Sequence, residues 1–419
     1  MRILVYPHDM NMGGSQLNAI ELAASVKALG HEVVIAGQHG SLRGTVDARG
    51  LEFIELPAPG RRPSLRVIYA LRREIAQRGI QLVHGYEWPP SLEAELACLR
   101  GPAIAASTVL SMAVAPFIPT GMPLMVGTEQ IAEAERRFGR RAVSLMEPPI
   151  DTALNRPGLG LPVDEPAARW GIHGQGLTLA IVSRLAHEMK LEGILAAIDV
   201  VASWDAGMPL QLVIAGDGPA AETVASAAAA ANDRCGQRRV VLTGQLDDPR
   251  WLYARADIVL GMGGSILRAM AFGKPVIIQG ERGFWRLLDE DSLPEFLWQG
   301  WYGSGQGARF GASALEGELR RLAADGSLRR QLGEFSLSVV VQRFSLDAAA
   351  RRQVQFYEGV LASDANQRQR ASERAAATVR FAGYKLGRLA ARLRGTATAD
   401  DFNAKAALRT EPDLSEVRS

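Results

Sequence analysis

Short apolar runs alternate with segments of helical spacing along the first 150 residues. Runs such as ILVYP (3–7) and EVVIAG (32–37) are typical of buried strands. In the segment between them (15–30), apolar residues recur every three or four positions, which indicates a helix. This alternation predicts a parallel sheet with helices on both of its faces.

The same alternation restarts at residue 177, after a stretch that holds five prolines (147–175). From about residue 312 the pattern is helical throughout. We therefore predict an α/β fold of two tandem, doubly wound, Rossmann-like domains with a helical C-terminal extension. The expected division is an N-terminal domain (1–150), a linker (151–175), a C-terminal domain (176–345), a helix that packs back (346–362), and a basic helix with a disordered tail (363–419).

An uncharged stretch at residues 102–127 is long enough to span a bilayer. It contains four prolines and the turn-prone pair Thr120-Gly121. Buried parallel strands also read as unbroken apolar runs. We therefore predict two strands here, AIAAS (103–107) and PLMVG (123–127), joined by a loop.

Composition excludes several classes of protein. The 419 residues carry 47 basic and 45 acidic side chains, a balance that argues against a dedicated nucleic-acid binder. The two cysteines, Cys98 and Cys235, cannot form a disulfide framework or a cysteine-based zinc site. The six histidines are scattered and match no metal-binding motif, so we expect no metal. The N-terminus lacks the pattern of a signal peptide, and we expect a cytoplasmic protein.

The region between Arg368 and Arg394 has a different composition. It contains eight basic residues and one acidic residue, Glu373. Apolar residues recur within it at partly helical spacing: Val379, Phe381, Leu386, Leu389 and Leu393. Two interpretations stay open. The segment is either a basic amphipathic helix that binds the anionic inner face of a membrane, or a solvated tail helix.

The loop HDMNMGGSQ (8–16) lies between the first strand and the first helix. Gly13 and Gly14 allow close approach of the backbone to a ligand, and Ser15 can cap the helix. Free N–H groups at such a helix start can bind a phosphate or a sugar, although a purely packing role is equally compatible. The loop is neither a GxGxxG motif nor a P-loop, so no dinucleotide or NTPase site is predicted.

Two cations follow the first strand of the second series, in VSRLAHEMKLEG (182–193). Arg184 sits at the carboxyl end of the strand, and Lys190 lies six residues later, where the next helix begins. Arginine and lysine at this place suit a diphosphate and could stabilise its charge as a leaving group. The alternative is a solvated basic pair.

Five segments together resemble one known family. They are the opening glycine loop and helix, SRLAHEMKLEGILAAI (183–198), LVIAGDGP (212–219), TGQLDDPRWLYARADIVL (243–260) and AMAFGKPVI (269–277). In this order and spacing they are similar to segments of the retaining GT-B glycosyltransferases of family 4, the large family that includes sucrose synthase and phosphatidylinositol mannosyltransferases. The resemblance covers about residues 1–360 and implies the GT-B fold.

The resemblance implies roles for residues that match the family's motifs. Arg184 and Lys190 would contact the donor diphosphate. Gly13 and Gly14 would lie by the donor phosphates and the transferred sugar. The remaining candidates are Gly263, Gly264 and Ser265 for the donor, and His84 and Ser111 on the acceptor side.

The chain departs from the family at two donor-site positions. The family usually carries two glutamates eight residues apart, and here these positions hold Leu260 and Arg268. Arginine has no acceptor for ribose hydroxyls. Three explanations follow: ribose is held elsewhere, Arg268 makes a third phosphate contact, or donor binding has been lost.

The resemblance implies a retaining, metal-independent transferase without a cofactor. It would move a sugar from a nucleotide-sugar donor on the C-terminal domain to a glycan or lipid-linked acceptor on the N-terminal domain. Two alternatives remain: a binding or scaffold protein with a decayed site, and a nucleotide-sugar epimerase or hydrolase.

Overall fold

The computed structural model describes residues 1–7, 9–99, 101–172, 176–205, 207–363 and 371–395. It divides into two compact units. The first comprises residues 1–148 together with the described part of the chain from Ala349 onward, and the second comprises residues 149–348. The tail predicted to be disordered lies, beyond residue 395, outside the described residues.

The first unit is built on a seven-stranded sheet of order β3-β2-β1-β4-β5-β6-β7. Every neighbouring pair is parallel, as the unbroken apolar runs predict. The strands are β1 (Arg2–Tyr6), β2 (Glu32–Gly37), β3 (Glu52–Glu55), β4 (Leu82–Tyr86), β5 (Ile104–Val109), β6 (Leu124–Val126) and β7 (Val143–Leu145).

Helices pack around this sheet through buried apolar side chains. In the helix Leu65–Arg78, for example, Val67, Ile68, Leu71 and Ile75 are buried at helical spacing. The helices of the first unit are α1 (Gly14–Ala28), α2 (Arg43–Ala48), α3 (Leu65–Arg78), α4 (Trp88–Cys98) and α5 (Glu129–Arg137), followed after the second unit by α14 (Leu346–Ala362) and α15 (Ala371–Leu393).

The second unit is built on a six-stranded sheet of order β10-β9-β8-β11-β12-β13. Its strands are β8 (Leu177–Val182), β9 (Leu210–Ala215), β10 (Val240–Gly244), β11 (Ile258–Gly261), β12 (Val276–Gln279) and β13 (Trp285–Leu287). The last strand was not predicted, and it runs antiparallel to β12. The Gly280 N–H donates to the Phe284 carbonyl, which closes a turn too short for a parallel crossover.

The helices of the second unit are α6 (Asp164–Trp170), α7 (Leu191–Ala202), α8 (Ala221–Cys235), α9 (Arg250–Arg255), α10 (Gly264–Ala271), α11 (Leu293–Gln299), α12 (Gly311–Ala324) and α13 (Gly326–Arg343), with a 3-10 turn at Ala308–Phe310. Helix α6 lies within the stretch that the sequence predicts to be a linker. Ala167 and Ile172 are buried in the core of the second unit. The short helix escapes sequence analysis because one buried residue in seven leaves no periodic signal.

The uncharged stretch 102–127 forms β5 and β6, as predicted. Among the described residues, no helix has the length and apolar content needed to cross a membrane.

The predicted fold class is confirmed, and the strand orders locate its ligand-binding edges. In the first unit the chain moves outward from β1 to β3 and then returns to the other side of β1 with β4. The second unit repeats this reversal between β8 and β11. In open α/β sheets, ligands bind outside the carboxyl ends of the strands at such a switch point.

Candidate functional site

The loop after β8 carries the first predicted cation to the switch point of the second unit. Arg184 is exposed two residues beyond the end of β8. Its guanidinium forms no ion pair or side-chain hydrogen bond with the described part of the chain. It is therefore available to an anionic ligand.

Two glycines of the GDGP segment hold this loop in place. A Cβ on Gly216 would lie 1.8 Å from the Ser183 carbonyl oxygen, and one on Gly218 would lie 2.5 Å from the Leu185 carbonyl oxygen. Both glycines also have a positive φ, at 145° and 155°. The Leu185 N–H then donates to the Asp217 carbonyl over 2.9 Å. The segment thus supports the strand end that carries Arg184.

Lys190 lies at the N-cap of α7, and the backbone before it is strained. Met189 has a φ of 64°, which non-glycine residues seldom adopt. The amide of Gln279, at the end of β12, donates to the carbonyls of Met189 (3.3 Å) and Lys190 (2.8 Å). Gln279 is almost fully buried. Sequence analysis missed this side chain, which fixes the backbone beneath Lys190.

The ammonium of Lys190 has no carboxylate partner among the described residues. Burial lowers its pKa to about 8 because desolvation disfavours the charged form. A desolvated cation without a partner gains most from an anionic ligand.

Helix α10 begins at the same edge, directly after β11. Gly263 adopts φ 62° and ψ −141°, and its N–H donates to the Trp301 carbonyl over 2.8 Å. The N–H groups of Gly264 and Ser265 donate to no group in the described ranges. The Ser265 hydroxyl donates to the Met262 carbonyl over 3.0 Å. Two backbone donors are therefore available at a helix start, where the helix dipole favours an anion.

Arg268 lies one turn further along α10. Its Nη1 is 3.5 Å from the place where a Cβ on Gly264 would be, so the guanidinium reaches back over the first turn. It has no ion-pair partner in the part of the chain that the structure describes. Leu260, by contrast, pairs with Ile181 and Ile277 inside the sheet and is fully buried. The leucine side chain at position 260 does not reach the surface.

The structure thus brings six predicted residues of the second unit to one switch point. Three are cations without ion-pair partners in the described ranges, and three supply the start of a helix: Arg184, Lys190, Arg268, Gly263, Gly264 and Ser265. Chemically, this edge can bind a multiply charged anion such as a diphosphate.

In the first unit, the glycine loop opens α1 at the switch point between β1 and β4. The helix begins at Gly14, and Gly13 precedes it in an extended conformation. No atom lies within 4 Å of the place where a Cβ on Gly14 would be, so this face of the loop is open. Ser15 does not cap α1 as expected. Its hydroxyl instead donates to a carboxylate oxygen of Glu87 over 3.1 Å.

Glu87 is a residue that sequence analysis missed. It follows β4 with φ 66° and ψ 174°, a region that is essentially restricted to glycine. Its buried carboxylate also accepts hydrogen bonds from the Leu110 N–H (3.0 Å) and the Ser111 hydroxyl (2.7 Å). One carboxylate therefore joins the loops that follow β1, β4 and β5. The available signal was an acidic residue placed directly after a buried strand.

The two acceptor-side candidates have different environments. Ser111 lies at the strand edge beside Glu87. His84 is fully buried, and its ring nitrogens lie 2.7 Å from the Tyr357 hydroxyl and 2.7 Å from the Thr108 hydroxyl. Burial lowers the pKa of His84 to about 3, so the ring is neutral. His84 is therefore a structural residue of the interior, because its strand position points it into the core.

Glu87 and Gly263 hold equivalent places in the two units. Each separates the strand beyond the switch point from the helix that follows, and their φ angles are 66° and 62°. Glycine adopts this conformation without steric cost, whereas glutamate does not. The first unit therefore maintains strain at the position where the second unit has glycine.

A metal centre is not evident in the described ranges, where no three His, Cys, Asp or Glu side chains converge as ligands.

Comparisons with known proteins agree with this arrangement. Residues 176–292, within the second unit, match the model of a family described as glycosyl transferases group 1. No curated protein matches the chain. Among solved structures, a glycosyltransferase from Rickettsia africae is similar, with 15% sequence identity and a TM-score of 0.68 over 86% of this chain and 98% of that one.

Two further structures have comparable similarity. Anabaena HepE in complex with UDP has 13% identity and a TM-score of 0.67, covering 86% of this chain and 100% of its own. Sucrose-phosphate synthase from Thermosynechococcus elongatus has 18% identity and a TM-score of 0.66, covering 87% of this chain and 100% of its own. The chain therefore has the GT-B fold of these proteins, and residues 176–292 of its second unit are similar to the group 1 glycosyl transferases.

Proposed function

We propose that the protein is a retaining glycosyltransferase that works without a metal ion or other cofactor. It moves a sugar from a nucleotide-sugar donor to a glycan or lipid-linked acceptor. The observation that carries the proposal is the set of three cations without ion-pair partners among the described residues, Arg184, Lys190 and Arg268, at the switch point of the unit matched by the family model. HepE, which shares the fold, has been solved with UDP and with UDP-glucose.

The cations of the second unit would act on the donor diphosphate. When the bond to the sugar breaks, negative charge develops on the leaving diphosphate, and groups already placed around it stabilise the transition state. Arg184 supplies a fork of N–H donors. Lys190 supplies a compact positive charge, and binding of the negative diphosphate would offset the free-energy cost of burying that charge. The N–H groups of Gly264 and Ser265 add two uncharged donors.

Retention follows the resemblance to family 4. A donor phosphate oxygen would take the proton from the acceptor hydroxyl, and the transition state would resemble an oxocarbenium ion. The acceptor would bind at the carboxyl edge of the first unit, which Gly13, Gly14 and Ser111 border and where the Glu87 carboxylate fixes the loops.

Arg268 would make a third contact with the donor phosphates. It reaches back over the helix start, and a guanidinium suits phosphate whereas it cannot accept from ribose hydroxyls. This assignment leaves ribose to other groups of the second unit.

A decayed, non-catalytic scaffold is the second candidate, and one observation favours it. The two positions that hold glutamates in the family have a fully buried leucine, Leu260, and a side chain without acceptors, Arg268. An epimerase or hydrolase on the same fold is a further alternative, which would consume donor with no acceptor present.

Donor binding separates these candidates. We would measure thermal unfolding with UDP, GDP, ADP and TDP and their common sugar conjugates, in the presence of EDTA. A ligand at a hundred times its dissociation constant adds about 2.7 kcal/mol to the free energy of unfolding. We expect a shift with one base, lost in Arg184→Ala and kept in Arg234→Ala, whose side chain is ion-paired with Asp199 away from the site. A flat response to every nucleotide would support the scaffold.

Turnover completes the test once the base is known. Release of the nucleoside diphosphate that depends on an added acceptor supports transfer, and release without acceptor supports the epimerase or hydrolase. The anomeric configuration of the product, read by NMR, tests retention. We also propose that the protein acts in the cytoplasm, at the inner face of the membrane, where it would meet a lipid-linked acceptor.

A further inference from the structure

Helix α15 presents two different apolar faces. Its inward face packs on the first unit: the ring of Phe117 lies 5.1 Å from that of Phe381 and 4.9 Å from that of Tyr384, between centroids. Trp88 joins the same aromatic cluster. The helical spacing seen in the sequence grouped Phe381 with the leucines of this segment, whereas the structure places it on the packed side.

The outward face carries a stripe of exposed apolar side chains. Val379, Leu386, Leu389 and Leu393 are 71%, 68%, 56% and 81% exposed. Their spacings of seven, three and four residues place them on one side of the helix. We call these four residues the outward stripe.

Basic side chains accompany the outward stripe. At 100° per residue, Lys385 and Arg392 border it. Burial lowers the pKa of Lys385, and the nearby cations Arg392, Arg388 and Arg61 lower it further, because clustered positive charges disfavour one another. The acidic residue of the helix, Glu373, is already paired with Arg141. The surface therefore combines apolar side chains with an excess of positive charge.

The C-terminal half of α15 lies beside the candidate acceptor edge. The ammonium of Lys385 is 5.9 Å from the centre of the Trp88 ring, and Trp88 directly follows Glu87. Arg61 belongs to the loop that follows β3 at the same edge. The N-terminal half runs away from this edge, because its Arg374 pairs with Glu95 in the C-terminal half of α4.

We propose that the outward stripe and its flanking bases bind the surface of an anionic lipid bilayer. Leucine and valine side chains would enter the headgroup region, while Lys385 and Arg392 would contact lipid phosphates. A nucleic acid would contact the basic side chains and leave the exposed leucines without a partner, and an apolar protein surface would leave the basic side chains without one. An anionic bilayer offers phosphates to the basic side chains and an apolar interior to the leucines.

This docking gives the carboxyl edge of the first unit a position near the headgroups. Ser111 and Glu87 lie at that edge, so a lipid-linked acceptor could present its hydroxyl there. This second step rests on the proposed function, whereas the docking itself does not.

Point substitutions on the outward face test the docking. Deleting the helix would uncover Trp88 and Phe117, so truncation would mix lost docking with lost packing. The variant L386Q/L389Q/L393Q removes most of the outward stripe, and K385Q/R392Q removes its bases. The control is Val341→Gln, which changes an exposed apolar residue of α13 in the second unit.

We would measure sedimentation of the full chain with vesicles of phosphatidylcholine and phosphatidylglycerol, and with vesicles of phosphatidylcholine alone. The wild type and Val341→Gln should sediment with the anionic vesicles. The stripe variant should bind at least tenfold more weakly, the order of loss that exposed leucines produce when they leave an interface. Salt should weaken binding of the wild type and have less effect on K385Q/R392Q. Unchanged thermal unfolding of each variant would show that the fold is intact.

Three outcomes would overturn the docking: a wild type that does not sediment, a stripe variant that sediments like the wild type, or a dimer in light scattering that the stripe variant abolishes. The last would make the stripe a contact between copies. Nucleotide binding, measured by thermal shift, should be unaffected by the stripe variant. A wild type that does not sediment with vesicles but transfers sugar to a soluble acceptor refutes the docking alone. Vesicle binding without donor binding refutes the proposed function alone.

Discussion

The hydroxyl of Ser15 donates a hydrogen bond to the carboxylate of Glu87 across 3.1 Å. This contact connects the first turn of α1, which follows β1, to the residue directly after β4. The strands β1 and β4 flank the switch point of the first unit. The same carboxylate holds Leu110 and Ser111. The glycine loop and the loop after β5 are therefore positioned by one buried acidic group.

Replacing Glu87 separates its backbone strain from its carboxylate. Glu87→Ala loses the hydrogen bonds and keeps the strain, so the free energy of unfolding should fall by about 2–4 kcal/mol. Glu87→Gly loses the same bonds and relieves the strain, so it should be more stable than the alanine variant by about 1–3 kcal/mol. Urea unfolding measures both. Turnover should fall at least tenfold in each; normal turnover in Glu87→Gly would leave the carboxylate with a purely structural role.

Removing the charge of Lys190 should stabilise the protein while it weakens donor binding. The pKa in the folded state, about 8, is below the ordinary value of 10.5, so the folded state binds the proton less well than the unfolded chain. The free energy of unfolding of the wild type should rise with pH between about 8 and 10.5. Lys190→Met should be the more stable protein at pH 7, and its advantage should shrink over that interval.

Nucleotide titration supplies the functional half of this prediction. Lys190→Met should bind the nucleoside diphosphate at least tenfold more weakly, because a charge-assisted contact is lost. Lys274→Met is the matched control: burial also lowers the pKa of Lys274, but its ammonium donates to the Ala254 carbonyl. Equal affinities in wild type and Lys190→Met would remove Lys190 from the donor site.

Arg268 should contribute to phosphate binding rather than to ribose binding. Arg268→Ala should weaken binding of the nucleoside diphosphate by about tenfold to a hundredfold, the range for a hydrogen bond to a charged group. Binding of the free nucleoside should be unchanged. Isothermal titration with both ligands tests this, and Arg234→Ala again serves as the exposed control. A variant that binds the diphosphate as well as the wild type would leave Arg268 solvated at the helix start.

His84 should make the protein sensitive to acid. Its pKa of about 3 in the folded state is below the ordinary 6.5, so between these values the unfolded chain binds one more proton. Stability contributed by the neutral ring should be complete above about pH 6.5 and be lost as the pH falls toward 3. The slope of the free energy of unfolding against pH reports how many more protons the unfolded chain binds than the folded state. In His84→Gln this difference should be one proton smaller between about pH 3 and 6.5. An unchanged slope would mean that His84 is not buried as a neutral ring.

The strand–helix pattern accounts for much of this architecture. Apolar runs between helical segments predicted a parallel sheet in each unit, including β1, β2, β5 and β6, since burial on both faces of a sheet demands such runs. The pattern missed β13, because a strand of three residues gives too short an apolar run to be recognised. Its antiparallel direction is set by the turn at Gly280. It also missed α6, whose one buried residue leaves no periodicity.

The order of residues along the chain puts cations and glycines directly after strands, which predicts that Arg184, Lys190 and Gly263 lie at one edge. Which polar groups reach that edge depends on contacts between segments that are far apart in the chain. His84 and Glu87 are three residues apart, yet one side chain points into the core and the other turns to the loops. Likewise, Phe381 and Leu389 lie on the same helix, but Phe381 packs against Trp88 whereas Leu389 is exposed. The spacing of residues along the chain determines which of them share one side of a helix or strand. Contacts between segments that are distant in the chain determine whether that side is buried, and against which neighbour.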